Sequence, residues 1–480
     1  MVPKEKNTGR VVAYVACIAF ILGMLIFATS SKFLVLGWKN AFGNGEGFYS
    51  NSQTSMTDLE RRSEANIVLT VDSILSVIQG YYFDKSRVDN KSLVEVGFGV
   101  LKNFPGVRVS DQNGKYLVQY FSKNITFKKM IKPNYADVLA WFTRIESFLV
   151  TANPELKPFS FSKSFLLTLD AHSAFLSPED YLDLRQGTEG VFGGLGVLVG
   201  MRRSVLTVIK PIPASPAYKH GIASLDKILS INGVTTFGAN IDNLIEVMRG
   251  APGTEVTMSL LRQDALGPEE LKIKREIIEV KSVASHVTTG PKGNVLHLTI
   301  DTFSSRTAQE VAEHLKNFKQ KYEAPRGVIL DLRSNPGGLL DQAVAVADMF
   351  LDNGVIVATK GRREEIEYVS SREHDTTTPM IVLIDGDSAS ASEIVAGALQ
   401  DHNRALIVGQ RSFGKGSVQT VFELPGDTAV KITIARYYTP KGRSIQSYGI
   451  VPDINLLGVK KTEENKNIFS FNRYRSEAFL

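Results

Sequence analysis

Between Val280 and Pro452 the chain alternates stretches of strand character with stretches of helical character, and this pattern narrows its fold more than any other. Val295–Ile300, Val328–Leu332, Val355–Ala358, Ile381–Ile384, Ala405–Val408, Val418–Leu424 and Val430–Ala435 read as strands. Thr307–Tyr322, Leu340–Phe350 and Ala391–Asp401 read as the helices between them. Such alternation implies an α/β layer architecture with a partly parallel sheet. A chain of 480 residues also exceeds what one hydrophobic core organises, so a multidomain α/β protein is expected.

Upstream, Gly193-Gly194-Leu195-Gly196-Val197 runs into strand-like Val205–Ile209. The turn at Asn232-Gly233 leads to an amphipathic stretch, Ile241–Met248, and to strand patterns at Val256–Leu261 and Glu270–Lys274. From Thr57 to Phe175 the pattern is mainly helical, with apolar residues at 3–4 spacing in Ile67–Ile78 and Val138–Leu149 and a strand-like insert over Val107–Lys129. No catalytic grouping appears in that region. The expected divisions are residues 1–40 as cytoplasmic tip and membrane anchor and 41–185 as a mainly helical region. A β-rich unit (186–278), the α/β core (279–456) and a polar, mobile tail (457–480) follow.

The anchor expectation rests on Lys4, Lys6 and Arg10, which precede a run from Val11 to Thr29 that is apolar apart from a few small residues and long enough to cross most of a bilayer. A cleaved signal peptide is the alternative, because Ala28-Thr29-Ser30 offers small residues, but the run is longer than a usual signal core. The basic flank places the N-terminal end in the cytoplasm and everything after about residue 32 outside it, as for a single-pass protein of a bacterial cytoplasmic membrane with a periplasmic body.

Composition removes several function classes. The net charge of +5 is spread along the chain, with no dense Lys/Arg block interleaved with aromatics, which disfavours nucleic acid. The single cysteine, Cys17, lies in the apolar run, so no internal disulfide, thiolate metal site or soluble thiol nucleophile is available. None of the seven histidines forms an HExxH pair or another close ligand spacing, so neither a metal nor any other cofactor is expected.

The segment Asp385-Gly386-Asp387-Ser388-Ala389-Ser390-Ala391-Ser392-Glu393 joins a buried strand to a helix. A serine there stands above a sheet edge, where the helix N-terminus points unpaired N–H groups at a nearby oxyanion. Local sequence does not choose among Ser388, Ser390 and Ser392, and Ser390 with Glu393 also fits an ordinary helix-capping box. Gly386-Asp387-Ser388-Ala389 superficially matches the GDSGG of trypsin-like proteases, yet Ala389 and Ser390 replace both glycines. A base other than histidine would be a neutral lysine. Lys415, between Gly414 and Gly416 and directly before a strand, is the candidate. Its pKa would have to fall from about 10.4 to roughly 7–8, a burial penalty of about 3–5 kcal/mol. Gln419, four residues on, is suited to orient the amine without adding negative charge. Asp331-Leu332-Arg333-Ser334-Asn335-Pro336-Gly337-Gly338 ends a strand in a tight turn, from which Gly338 could offer its N–H to an oxyanion together with that of Ala391.

Taken together, Ser388–Ile394, Phe413-Gly414-Lys415-Gly416 and Asp331–Gly338, which stand in the family's order, resemble the C-terminal processing peptidases, or tail-specific proteases, over about Asp170 to Pro452. In that family the nucleophile is the middle serine of S-A-S-A-S-E and the lysine of F-G-K-G follows it by twenty-five positions, with a glutamine four further on. Ser390, Lys415 and Gln419 have that spacing here. The resemblance implies Ser390 as nucleophile, Lys415 as base, Gln419 as its partner, and Gly338 and Ala391 as oxyanion-hole donors. It implies a core of the ClpP/crotonase type and a PDZ domain in the β-rich unit, with Gly194, Leu195, Gly196, Val197 and Lys227 in substrate binding. A glycine-rich turn beside a strand edge suits capture of a terminal carboxylate. Ser224-Leu225-Asp226 replaces the family's usual P-G-D before Lys227, and Asp170-Ala171-His172-Ser173 resembles its D-P-H-S element without the proline, with His172 read as structural.

The expected function is a serine endopeptidase that selects substrates with free C-termini and cleaves extracytoplasmic proteins, held to a membrane by its N-terminal helix, with room for self-association and an adaptor protein. Two alternatives belong to other classes. A non-catalytic peptide-binding scaffold would leave a serine-reactive probe unbound, and a crotonase-like acyl-CoA enzyme would need neither a PDZ-like unit nor an anchor.

Overall fold

The computed structural model describes residues 58–456, except 264, 323–324, 363 and 371–377, together with Glu477. The expected anchor, residues 1–40, lies outside them, as does the tail apart from Glu477. Among the described residues no helix is long and apolar enough to cross a membrane. The residues from Glu64 onward form one compact unit around three apolar cores.

The first core gathers α1 (Asp58–Tyr81), α2 (Asn90–Asn103), a three-stranded antiparallel sheet of β1 (Val107–Gln112), β2 (Lys115–Tyr120) and β3 (Lys123–Lys128), then α3 (Tyr135–Ala152) and α4 (Ser160–Leu166). Asn134 and Asp137 cap α3 reciprocally, which fixes where the helix begins. Trp141, Phe142, Phe161 and Phe165 are fully buried and pack edge-on. Val430 and Ile432, from a strand near the other end of the chain, complete this core.

The strand β4 (Ala174–Leu176) and helix α5 (Pro178–Glu189) lead into the second core. It comprises β5 (Val191–Gly194), β6 (Val197–Arg202), β7 (Val205–Pro211), α6 (Pro216–Lys219), β8 (Lys227–Ile231), β9 (Val234–Thr235), α7 (Ile241–Met248), β10 (Glu255–Leu261) and β11 (Glu269–Lys274). Its sheet runs β11-β10-β8-β7-β6, which leaves β6 at the edge. A further strand, β12 (Glu276–Glu279), returns antiparallel to β5 and ties the exit of this unit to its entry. Leu225 adopts a positive φ of 76°, so the turn before Lys227 keeps the left-handed geometry a glycine would favour, at the expense of strain.

The third core contains β13 (Val283–Gly290), β14 (Gly293–Ile300), α8 (Thr307–Tyr322), β15 (Gly327–Asp331), α9 (Leu340–Asp348), β16 (Val355–Gly361), β17 (Glu365–Val369), β18 (Met380–Ile384), α10 (Ala391–Asp401), β19 (Leu406–Gly409), β20 (Ser417–Glu423), β21 (Ala429–Tyr438) and β22 (Ile454–Asn455). One sheet has the order β13-β14-β15-β18-β19-β22, parallel from β14 onward. The other runs β17-β16-β21-β20, antiparallel, with β4 added to β21. Helix α10 touches both β16 and β19 and is buried on every face, from Ala391 through Leu399. Its small residues let it lie between the layers. A Cβ at Gly397 would stand only 3.0 Å from both Ile450 and Thr439.

Candidate active site

The loop from β18 to α10 carries three serines in very different settings. Ser388 is fully buried, and its hydroxyl donates to the Leu332 carbonyl at 2.8 Å and accepts the Asp385 N–H at 2.9 Å. Ser392 is fully buried and donates to the Asn335 carbonyl at 3.0 Å. The Ser390 hydroxyl makes no capping bond, because the Glu393 N–H goes to the Ser390 carbonyl at 2.9 Å instead. Ser390 also sits at φ 52°, ψ −111°, a backbone region that non-glycine residues rarely occupy. Thus two serines are spent on structure, while the third holds a strained elbow, and its hydroxyl has no hydrogen-bond partner among the described residues.

That elbow is held by Glu393. Its Oε2 accepts the Ser390 N–H at 2.7 Å and the Lys415 N–H at 2.9 Å, and its Oε1 accepts the Ser412 hydroxyl at 2.5 Å and the Gly414 N–H at 2.7 Å. One carboxylate oxygen therefore draws the backbones of Ser390 and Lys415 together, although the two residues belong to separate loops. Burial pushes the Glu393 pKa up to about 7, against the pull of these donors. The Phe413 N–H adds a bond to the Ser388 carbonyl at 3.0 Å. Glu393, weighed from sequence only as a helix cap, thus assembles the site.

The glycine turn meets the elbow from the other side. A Cβ on Gly337 would stand 2.8 Å from both the Ala389 carbonyl oxygen and Ser390 Cβ, and 3.0 Å from the Ala391 nitrogen. Asn335, fully buried, accepts the Gly337 N–H at 2.9 Å and donates to the Ile300 carbonyl at 2.7 Å, while its own carbonyl accepts the Ala389 N–H at 3.0 Å. Gly338 bridges to Phe303 through the Gly337 carbonyl and the Leu339 N–H, which leaves the Gly338 N–H out of the bridge. Among the described residues nothing accepts the N–H of Gly338 or of Ala391. Two uncommitted N–H donors are what an oxyanion hole requires, and the hydroxyl near them is what a nucleophile requires.

Burial pushes the Lys415 pKa down, and the Lys431 charge adds to this, while Glu477, Glu393 and Asp170 pull the other way. Lys415 Nζ has no hydrogen-bond or ion-pair partner among the described residues, and no bond joins it to Ser390 or Gln419. Gln419 Nε2 approaches Thr433 Oγ1 at 3.4 Å, and Thr433 in turn donates to Asp170 Oδ1 at 3.1 Å. Asp170 also accepts the N–H groups of His172 and Ser173, so the Asp170–Ser173 element braces the strand opposite Gln419. Only its likeness to a family motif pointed to this brace, which lies about 260 residues away in sequence from Thr433.

In the second unit, the Leu195 and Gly196 carbonyls are taken by the Ala217 and Ile212 N–H groups, and Ser215 also donates to Gly196 at 2.9 Å. Among the described residues the N–H groups of Leu195 and Gly196 have no acceptor. Gly194 ends β5 and Val197 opens the edge strand β6, with Leu195 buried between them. Lys227 is exposed at the start of β8, and no hydrogen bond or ion pair links it to Ser390 or Lys415.

Comparison with known proteins agrees with this division of the chain. The profile of Peptidase family S41 matches residues 294–456, and that of the PDZ domain matches residues 207–262. A carboxy-terminal-processing protease of Bartonella bacilliformis is 41% identical over 335 residues, which span 68% of this chain and 75% of that protein. The chain belongs to the carboxy-terminal-processing proteases of peptidase family S41. It is accordingly a serine peptidase with a PDZ domain. A carboxyl-terminal-processing protease of Synechocystis sp. is 36% identical over 296 residues, covering 61% of this peptidase and 69% of the relative. The solved structure of the photosystem II D1 C-terminal processing protease is 25% identical over 84% of this chain and 94% of its own, with a TM-score of 0.44.

Proposed function

We propose that this peptidase cleaves extracytoplasmic proteins selected by their C-termini, with Ser390 as nucleophile and Lys415 as general base. The observation that carries this reading is the uncommitted Ser390 hydroxyl on a strained elbow, joined through Glu393 Oε2 to the loop of a buried lysine. Neutral Lys415 removes the Ser390 proton as Oγ attacks the peptide carbonyl, and the N–H groups of Gly338 and Ala391 receive the developing oxyanion. Lys415 then passes its proton to the leaving amine, and the acyl-enzyme is hydrolysed by a water activated by the same lysine. Gln419 orients the amine, although its present bond is to Thr433. Catalytic hydrogen bonds often form fully only with substrate in place.

The PDZ domain would bind the substrate tail through the Leu195 and Gly196 N–H groups and the open edge of β6, with Gly194 and Val197 flanking them and Lys227 contributing charge. Residues 1–40 would hold the protein in a bacterial cytoplasmic membrane with the peptidase on the periplasmic side, where self-association or an adaptor protein could act on it. The test uses the detergent-solubilised full chain and an unstructured protein with an apolar tail. Ser390→Ala and Lys415→Met should each abolish cleavage, and removal of the substrate tail should slow it; retained cleavage in both variants sinks the catalytic assignment.

A further inference from the structure

Glu477 is the one described residue of 457–480, and it does not behave as part of a mobile polar tail. It is buried, at 7% exposure. Its carboxylate lies 2.7 and 2.8 Å from His172 Nε2 and accepts Gln446 Nε2 at 2.9 Å, while its backbone N–H donates to the Phe413 carbonyl at 3.0 Å. The surrounding groups are themselves fixed. The His172 N–H is held by Asp170 at 2.8 Å, and Gln446 Oε1 accepts the Gly416 N–H at 3.2 Å.

The pocket therefore borders the catalytic lysine on both sides in sequence, at Phe413 and at Gly416. It also meets two features of its occupant, a main-chain N–H and a carboxylate side chain, the two groups by which a peptide bearing an acidic residue is recognised. We propose that His172, Gln446 and the Phe413 carbonyl form a subsite for an acidic residue of a peptide, occupied in cis by Glu477. Glu477 then competes with acidic residues of substrates for this subsite. This inference rests on the Ser390–Lys415 reading.

The electrostatics have the same sense. Burial alone would raise the Glu477 pKa, but the His172 and Gln446 hydrogen bonds and the Lys415 charge hold it below the usual carboxylate value, so the occupant is anionic at neutral pH. An anion there favours the ammonium form of Lys415, which cannot act as base. The groups facing Lys415 are Glu477, Glu393 from α10, Lys431 from β21 and Asp170 from the element before β4.

The test compares the full chain with Glu477→Gln and Glu477→Ala, and adds a fluorescein-labelled peptide copying residues 470–480. Both variants should cleave an unstructured substrate about tenfold faster at limiting concentration, chiefly through a lower KM, and the acid limb of the rate profile should move to lower pH. The labelled peptide should bind Glu477→Ala and inhibit it competitively, and a peptide with glutamine in place of that glutamate should bind about tenfold more weakly. His172→Gln introduced into Glu477→Ala should weaken peptide binding likewise. Unchanged or slower cleavage by both Glu477 variants, or peptide binding indifferent to the glutamate, overturns the inference. Binding is measured by anisotropy in chains also carrying Ser390→Ala, so it stands apart from catalysis; cleavage that persists in Ser390→Ala would instead fault the catalytic reading.

Discussion

Adding one methyl group at Gly337 should disable the site without removing any group that takes part in the chemistry. Gly337 adopts a φ of 101°, where a side chain is strained wherever it points. Its new Cβ would meet the Ala389 carbonyl oxygen and Ser390 Cβ at 2.8 Å, and the Ala391 nitrogen at 3.0 Å, whereas ordinary contact begins at 3.4 Å. Two of these three atoms are backbone and the third is a Cβ, so none can rotate away. The glycine turn and the serine elbow must therefore separate by about half an ångström, and that is the gap between the nucleophile and the proposed Gly338 donor. Backbone strain costs about 1–3 kcal/mol and overpacking about as much again, so Gly337→Ala should lose about 2–6 kcal/mol of stability. Misplacing reacting groups on this scale should lower kcat by about 10²-fold, with little change in KM. Steady-state cleavage at a temperature where the variant remains folded by circular dichroism separates the two effects. Gly386→Ala is the control, because a Cβ there meets nothing within 4 Å in the same loop that carries Ser390. If Gly337→Ala retained activity within threefold of wild type, or Gly386→Ala proved equally damaging, the close packing of turn against elbow would not be what sets the geometry.

Glu393→Gln replaces an acceptor of four donors with a group that can accept at only one atom, so at least one buried N–H loses its partner. A loss of about 1–3 kcal/mol in denaturant unfolding and about 10²-fold in kcat are expected. The Lys415 pKa is lowered, so its neutral, basic form appears below the ordinary lysine range and cleavage should rise with pH to an inflection below 10.5. Lys431 is one cause of that lowering, so Lys431→Met should move the inflection to higher pH; a shift downward would contradict the arrangement. The same depressed pKa costs stability at every pH below it and is relieved as pH rises toward the unfolded value, so Lys415→Met should raise the melting temperature at pH 7 and gain less at pH 10. Ser388→Ala and Ser392→Ala should each lose about 1–2 kcal/mol of stability through a buried hydrogen bond, yet still label with a serine-reactive probe.

Much of this arrangement was legible in the sequence where burial is asymmetric or complete. Helices Ile241–Met248 and Ala391–Asp401 and the strands of the parallel sheet announce themselves by apolar spacing, and their limits are close to those read from the residues. The strands Val283–Gly290 and Glu365–Val369 escaped notice because they lie at sheet edges with most of their residues exposed, which leaves no alternation to read. Strands Ala174–Leu176 and Val191–Gly194 are too short to show any period. Sequence spacing brought Ser390, Lys415 and Gln419 into one family pattern, but it could not distinguish their local roles. The structure adds that the hydroxyls of Ser388 and Ser392 are already bonded. The contributions of Asn335, Asp170 and Glu477 depend on contacts between segments 35 to 305 positions apart, as between Asn335 and Ile300 or between His172 and Glu477. No local pattern encodes such contacts.

Activation of Ser390 by Lys415 can be followed by labelling the full chain with a fluorophosphonate and locating the adduct by peptide mass spectrometry across a pH series. A single adduct on Ser390 is expected, forming at a rate that rises with pH below the ordinary lysine range and disappearing in Lys415→Met. An adduct on Ser388 or Ser392, or labelling of Ser390 that proceeds unchanged without Lys415, would contradict that activation.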